Sequence, residues 1–209
     1  MVTFTDSTIP HHHSVPMEEP MTANLVDARL PLSPGTWNVD PNHSSVNFKV
    51  RHIGLTNVRG RFNKFTASFN AGTSVEGSSV QAVIEMSSVD TNQPDRDAHL
   101  RSTDFFSIEQ HPQMLFSSRS IAPDGDGYVV DGDLTINGIA KPVSLAVEFD
   151  GVQVFPGDGS THAGFSASTE INRDDFGVDF NMPLGVDRFA LGKKIAIEID
   201  IQFVAPKQV

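Results

Sequence analysis

From Gly35 onward, apolar and polar residues alternate with a period of two through most of the chain, the signature of strands that bury one face. Trp37 and Val39 start the pattern, and Asp40-Pro41-Asn42 is a turn signal. A long strand follows, with Val46, Phe48, Val50 and His52 on one face, Ser45, Asn47, Lys49 and Arg51 on the other, and Gly54 at its end. Val58 to Phe62 opens a second strand. Its phase slips before Phe65, Ala67 and Phe69, which predicts a β-bulge near Asn63-Lys64. A third strand aligns Val80, Ala82, Ile84 and Met86. Further strands are predicted over Met114 to Ile121, Tyr128 to Ile136 and, across the hairpin signal Asn137-Gly138, Val143 to Phe149. Ala163 to Ile171 and Ile195 to Phe203 complete the set, with a longer irregular connection from Asn172 to Gly192 between them.

The alternation stops once, between Ser88 and Phe106. Pro94 suits a first helical turn, Asp95 and Asp97 sit near its positive end, and Arg101 sits near its negative end. Ser102 or Thr103 is placed to cap a second turn carrying Phe105 and Phe106. Such a segment is expected to lie across an opening between strands, as a lid or floor. About eight long antiparallel strands, each apolar on one face, must close on themselves or pack as two sheets. Closed, they make a tall barrel whose interior is either filled by side chains or holds one small ligand. A Phe-rich inner face spaced by Ala and Gly favours the ligand; the filled interior is the alternative. The expected fold is therefore all-β, an extended eight-stranded antiparallel barrel over residues 36–206 with a short helical segment around residues 93–110.

Composition sharpens this picture in three ways. Fifteen Phe against one Trp and one Tyr suit an apolar interior, because a Phe ring needs no hydrogen-bond partner. A net charge of −11 argues against nucleic acid or an anionic membrane surface as partner. The absence of cysteine excludes disulfides, thiolate metal sites and Cys nucleophiles. No run approaches the roughly 18 apolar residues of a membrane span, and Met1 to Pro20 has no basic segment followed by an apolar core. The chain is accordingly expected to be soluble and cytoplasmic. Residues 1–35, with Pro10, Pro16, Pro20, Pro31 and Pro34, read as a disordered tail with a helical turn around Ala23 to Arg29. The run His11-His12-His13 lies in that tail and reads as solvated rather than as a metal site.

Several motifs, in order, carry a family resemblance. They are Trp37-Asn38-Val39-Asp40-Pro41-Asn42-His43-Ser44, Phe48-Lys49-Val50-Arg51-His52, Gly60-Arg61-Phe62 and Ser88-Val89-Asp90-Thr91. Arg96-Asp97-Ala98-His99-Leu100, Asp104-Phe105-Phe106, His111-Pro112 and Phe116-Ser117-Ser118 continue the series. Gly132 to Gly138 and Ile171-Asn172-Arg173-Asp174-Asp175-Phe176-Gly177 complete it. Together they resemble the YceI-like family of polyisoprenoid-binding, lipocalin-like β-barrels over about Gly35 to Ala205. The resemblance implies a lipocalin-like barrel that holds an isoprenoid, a quinone or a related lipid. Many relatives are exported, whereas this chain shows no signal sequence, and the tail falls outside the shared pattern.

The residues expected to contact such a ligand are Phe48, Val50, His52, Phe62, Ile84, Met86, His99, Phe105, Phe106, Phe116, Leu134, Ile136, Phe165 and Arg173. His52 is in phase with the inward face and suits the polar head of an apolar ligand, or a structural hydrogen bond. Arg96 and His99 share a helical face, and together with Asp97 they suit pinning the helix over the barrel better than touching ligand. Arg173 is expected to pair with Asp97 or to meet an anionic head group. No catalytic elbow, phosphate loop or dinucleotide fingerprint is present, and Asp124-Gly125-Asp126-Gly127 lacks the Glu of a calcium loop. The leading expectation is a non-catalytic carrier that needs no cofactor and takes an apolar small molecule, with a homodimer left open. One alternative is a metal-dependent enzyme acting on an apolar substrate, its metal held by His43, His99 or His111 with a carboxylate. The other is a filled barrel serving as an interaction module.

Overall fold

The computed structural model describes residues 30–206 apart from Asp187. The His11-His12-His13 run, the Ala23 to Arg29 turn and most of the expected tail lie outside the described residues. The strands are β1 (Gly35–Val39), β2 (Ser45–His52), β3 (Thr56–Phe62), β4 (Phe65–Ala71), β5 (Ser79–Glu85) and β6 (Val89–Asp90). One helix, α1 (Pro94–Arg101), separates these from β7 (Gln113–Asp124), β8 (Gly127–Ile136), β9 (Ile139–Val154) and β10 (Thr161–Asn172). The short strands β11 (Pro183–Gly185) and β12 (Arg188–Phe189) precede the final strand, β13 (Leu191–Val204).

Eight strands close the barrel in the order β1-β4-β5-β7-β8-β9-β10-β13, and β1 pairs back onto β13 through Asn38↔Val204 and Val39↔Phe203. Every pairing in the barrel is antiparallel. The barrel is extended because β2, β3 and β6 prolong β1, β4 and β5. β2 pairs with the other half of β13, from Asp200↔Ser45 to Leu191↔His52, and β3 pairs with β2 and then β6. The run from Val58 to Phe69 that reads as a single bulged strand is thus two strands end to end. At Asn63-Lys64 the structure has a break, not the expected bulge: β3 ends, and β4 leaves for β1 and β5. A phase slip in the sequence marks either event, because both shift the inward face by one residue.

The two ends of the barrel differ. Around β1 the interior is filled, with Trp37 and Ala163 essentially inaccessible and Phe69, Phe165 and Phe203 buried. Phe165 packs among Phe149, Phe69 and Phe203 at centroid distances of 5.2, 5.8 and 6.1 Å, tilted to the first two and edge-on to the third, none of them a face-to-face sandwich. Trp37 donates its indole N–H to the Ser33 carbonyl at 2.9 Å, so the one buried indole is satisfied. Leu30 and Leu32, within the stretch that reads as tail, are partly buried and pack against the hydrophobic core.

At the other end, β6 does not reach β7, and the segment from α1 to residue 112 bridges the interval. Gln93 caps α1 by accepting from the Arg96 N–H, and Pro94 occupies the first turn. The second helical turn expected over Phe105 and Phe106 is instead a series of tight turns, begun where the Ser102 hydroxyl donates to the His99 carbonyl. The Asn172 to Gly192 connection is more ordered than its sequence suggests. It holds a 3-10 turn at Arg173–Phe176 and the β11–β12 ribbon.

Candidate functional site

Above the aromatic plug the barrel is hollow. A cavity of about 480 Å³ lies between β2, β3, β4, β5, β7, β8, β9, β10 and β13 and is covered by α1 and the residue 177–191 connection. Its walls are Val46, Phe48, Val50, Ile84, Phe116, Leu134, Ile136, Val143, Leu145, Ile195 and Ile197, with Ala67 and Ala82 as the smallest wall side chains. The cavity reaches solvent at the covered end, where Met182 both lines it and is 59% exposed. Its wall residues on β2 and β13 are half-buried, not buried, although they point inward, because they face empty space.

Small residues on one strand let aromatic rings on the next lie flat against the wall. Phe48 and Gly60 are register partners, and a Cβ at Gly60 would fall 2.3 Å from the Phe48 ring. Phe116 crosses Gly132 in the same way at 2.6 Å. Bare backbone at these glycines keeps both rings out of the lumen.

The cover is held by backbone-directed hydrogen bonds. Buried Asp97 accepts from the Thr91 N–H at 2.9 Å and from the Thr91 hydroxyl. Arg96 Nε donates to Thr91 Oγ1 and its Nη2 to the Thr91 carbonyl, both at 2.7 Å. Arg101 reaches the Ser87 and Val89 carbonyls at 2.9 and 2.8 Å. The helix is therefore pinned to β6, its partner along the chain. Asp90 secures the approach: the Asn92 N–H, then the Asn63 amide and Arg61, hold its carboxyl below the ordinary 3.8. Asn137, at the Asn-Gly hairpin with φ +52°, donates to the Phe105 carbonyl at 2.7 Å and ties the turns after α1 to the β8–β9 tip.

Arg173 is 5% exposed and pairs with no carboxylate among the described residues. The expected Arg173–Asp97 pair does not form; Asp97 accepts from Thr91. Arg173 instead donates to the carbonyls of Gly192 (3.0 Å), Val178 (2.5 Å) and Phe180 (2.9 Å), strapping the residue 177–191 connection to the barrel. That connection meets the helical segment through an aromatic triad. The His99 ring stands edge-on to Phe105 at 5.0 Å and Phe180 at 5.1 Å, and its Nε2 is 2.8 Å from Asp104 Oδ2.

Of the fourteen residues expected to contact ligand, Phe48, Val50, His52, Phe62, Ile84, Met86, His99, Phe105, Phe106, Phe116, Leu134, Ile136 and Arg173 all line this one cavity. Phe165 does not. It belongs to the plug beneath, since the alternation that turns it inward says nothing of its height along the barrel. Sequence reasoning missed Val178, Phe180, Met182 and Leu191, which lie in or beside the aperiodic connection. It also passed over Val143, Leu145, Ile195 and Ile197, whose alternation was visible. His43 pairs with Asp40 and His99 with Asp104. Among the described residues no three His, Cys, Asp or Glu side chains converge to hold a metal ion. No helix among them is long and apolar enough to cross a membrane.

Comparison with known proteins supplies the remaining context. The YceI-like domain matches residues 37–203. A UPF0312 protein of Staphylococcus epidermidis is 36% identical over 168 residues, 80% of this chain and 96% of that protein. The crystal structure of Burkholderia cenocepacia BcnA superposes with a TM-score of 0.69 at 25% identity, covering 78% of this chain and 98% of that one. A polyisoprenoid binding domain from Saccharophagus degradans, implicated in plant cell wall breakdown, gives a TM-score of 0.58 at 15% identity. It covers 81% of this chain and 98% of that one, and at this identity it speaks for the fold alone.

Proposed function

The chain belongs to the YceI-like family, and on that footing we propose that it binds one long apolar molecule, an isoprenoid, an isoprenoid quinone or a related lipid, in the hollow half of its barrel. The observation that carries this reading is the cavity: about 480 Å³ of space walled almost wholly by aliphatic and Phe side chains and open at one end. The polyisoprenoid binding named for the S. degradans domain is compatible with it. Burial supplies the affinity, at about 0.8 kcal/mol for each methylene removed from water. The apolar tail points at the Phe plug. A polar head stays at the covered end, where Arg96, His99 and His52 line the cavity. The role is carriage or sequestration, and the ligand leaves unchanged.

The test is equilibrium binding of isoprenols of increasing length to the wild-type chain and to Phe48→Asp and Ile84→Asp. Affinity is expected to rise with chain length until the tail meets the plug, and to vanish in either variant, since a carboxylate in an apolar lumen is strongly disfavoured. A folded variant with undiminished binding overturns the lumenal site.

A further inference from the structure

Around the cavity mouth the protein displays apolar side chains that its own core does not use. Six of the ten large apolar residues left exposed among the described residues gather there: Ile53, Leu55, Met182, Leu184, Val186 and Phe189. The segments that carry them are joined by backbone hydrogen bonds. The Ile53 N–H donates to the Ala190 carbonyl at 2.7 Å, and the Ala190 N–H donates to the Met182 carbonyl at 2.9 Å. Pro183 pairs with Phe189 across the β11–β12 ribbon. The ribbon is also anchored at its base. Asn181 donates to the Leu191 carbonyl and accepts from the Leu191 N–H, at 2.8 and 2.9 Å.

We propose that this rim docks on a lipid bilayer, inserting the Leu55 and Val186 side chains so that the cavity mouth opens onto the membrane. The proposal rests on the lumenal reading above, and three observations favour a bilayer over a second copy of the chain. The rim is continuous with the cavity, since Met182 belongs to both and the cavity-lining Ala190 is bonded through its backbone to Ile53 and Met182. Its outermost groups are prongs, not a flat face: Val186 is 89% exposed and Leu55 71%, at the tips of two separate turns. Prongs sink into a soft layer, whereas a rigid partner would need matching pockets. Exposed Arg51 and Arg188 flank the tips along the chain and offer cationic groups to lipid phosphates. The chain's −11 charge sets the lipid class, because a zwitterionic surface accepts an apolar insertion without repelling the acidic body.

The test is flotation of the full chain with phosphatidylcholine vesicles, comparing wild type with Leu55→Asp/Val186→Asp. Neither residue lines the cavity, so isoprenol binding and thermal stability serve as controls. The double variant is expected to lose at least tenfold in vesicle partitioning while binding isoprenol as wild type does, and wild-type partitioning is expected to survive high salt. Equal partitioning of the two proteins overturns the proposal. So does adsorption that requires anionic lipid and disappears in salt, or a dimer in ultracentrifugation that the double variant dissociates without any vesicle binding. If isoprenol binding fails in the wild type but flotation persists and is lost in the double variant, docking stands and the lumenal reading falls.

Discussion

Filling the cavity from its own wall separates ligand binding from folding. Ala82 lies on β5 between its register partners Ala67 and Phe116, and Ala67, Ala82 and Phe116 all line the lumen. In Ala82→Phe the added ring projects into the hollow half. A ring of benzene size needs a cavity on the order of 150 Å³, so it removes roughly a third of the 480 Å³ available. The space lost corresponds to about six ligand carbons. At about 0.8 kcal/mol each, the gross loss is about 5 kcal/mol, more than a thousandfold in Kd. A ligand that withdraws toward the mouth recovers part of this, which leaves an expected loss of at least about tenfold. The unliganded protein gains contacts in an empty space, so its stability should change by no more than about 2 kcal/mol in either direction. Isoprenol titration by calorimetry gives the first quantity and urea unfolding the second. A folded Ala82→Phe protein that binds within twofold of wild type would refute the placement of the ligand between β5 and β13.

Other perturbations probe the parts that shape and cover the lumen. Gly60→Val should force the Phe48 ring inward, weakening isoprenol binding at least about tenfold; unchanged affinity would mean that the ring finds another rotamer away from the lumen. Arg173→Met strands three carbonyls, those of Gly192, Val178 and Phe180, and should cost about 3 kcal/mol or more in urea unfolding, with a loss below about 1 kcal/mol counting against the strap. Asp90 has its carboxyl pKa depressed in the fold by the Asn92 N–H, Asn63 and Arg61. Its contribution to stability is therefore complete above the unfolded value near 3.8 and lost as pH falls through the lower folded value. Asp90→Asn should flatten the acid limb of the stability profile, and an Asp90 carboxyl that titrates at or above 3.8 by NMR would contradict this.

What the sequence disclosed, and what it withheld, follows from which interactions are local. Alternation put Val46, Phe48, Val50 and His52 on one face, and Asn137-Gly138 announced its hairpin, because period and turn chemistry are set by neighbours along the chain. Nine wall residues in the alternating runs were legible for the same reason, whereas His99, Phe105, Phe106 and Arg173 came from the helical segment and the family resemblance. The height of each residue along the barrel was not, since it depends on how strands stagger. Phe165 accordingly looked like a wall residue and is part of the plug. Nor was the division of the second run into β3 and β4, because a break and a bulge leave the same slip at Asn63-Lys64. The mouth was the least legible. Phe180 and Met182 are placed by the Arg173 strap and the Asn181 clasp, side chain to backbone contacts that leave no period to read.

The measurement that bears most directly on the central claim is native mass spectrometry of the purified chain, followed by organic extraction of whatever it carries. The expected result is one apolar molecule per barrel, released intact on extraction and depleted in the Ala82→Phe protein. An unliganded mass that stays unliganded after incubation with isoprenols and quinones would contradict the account.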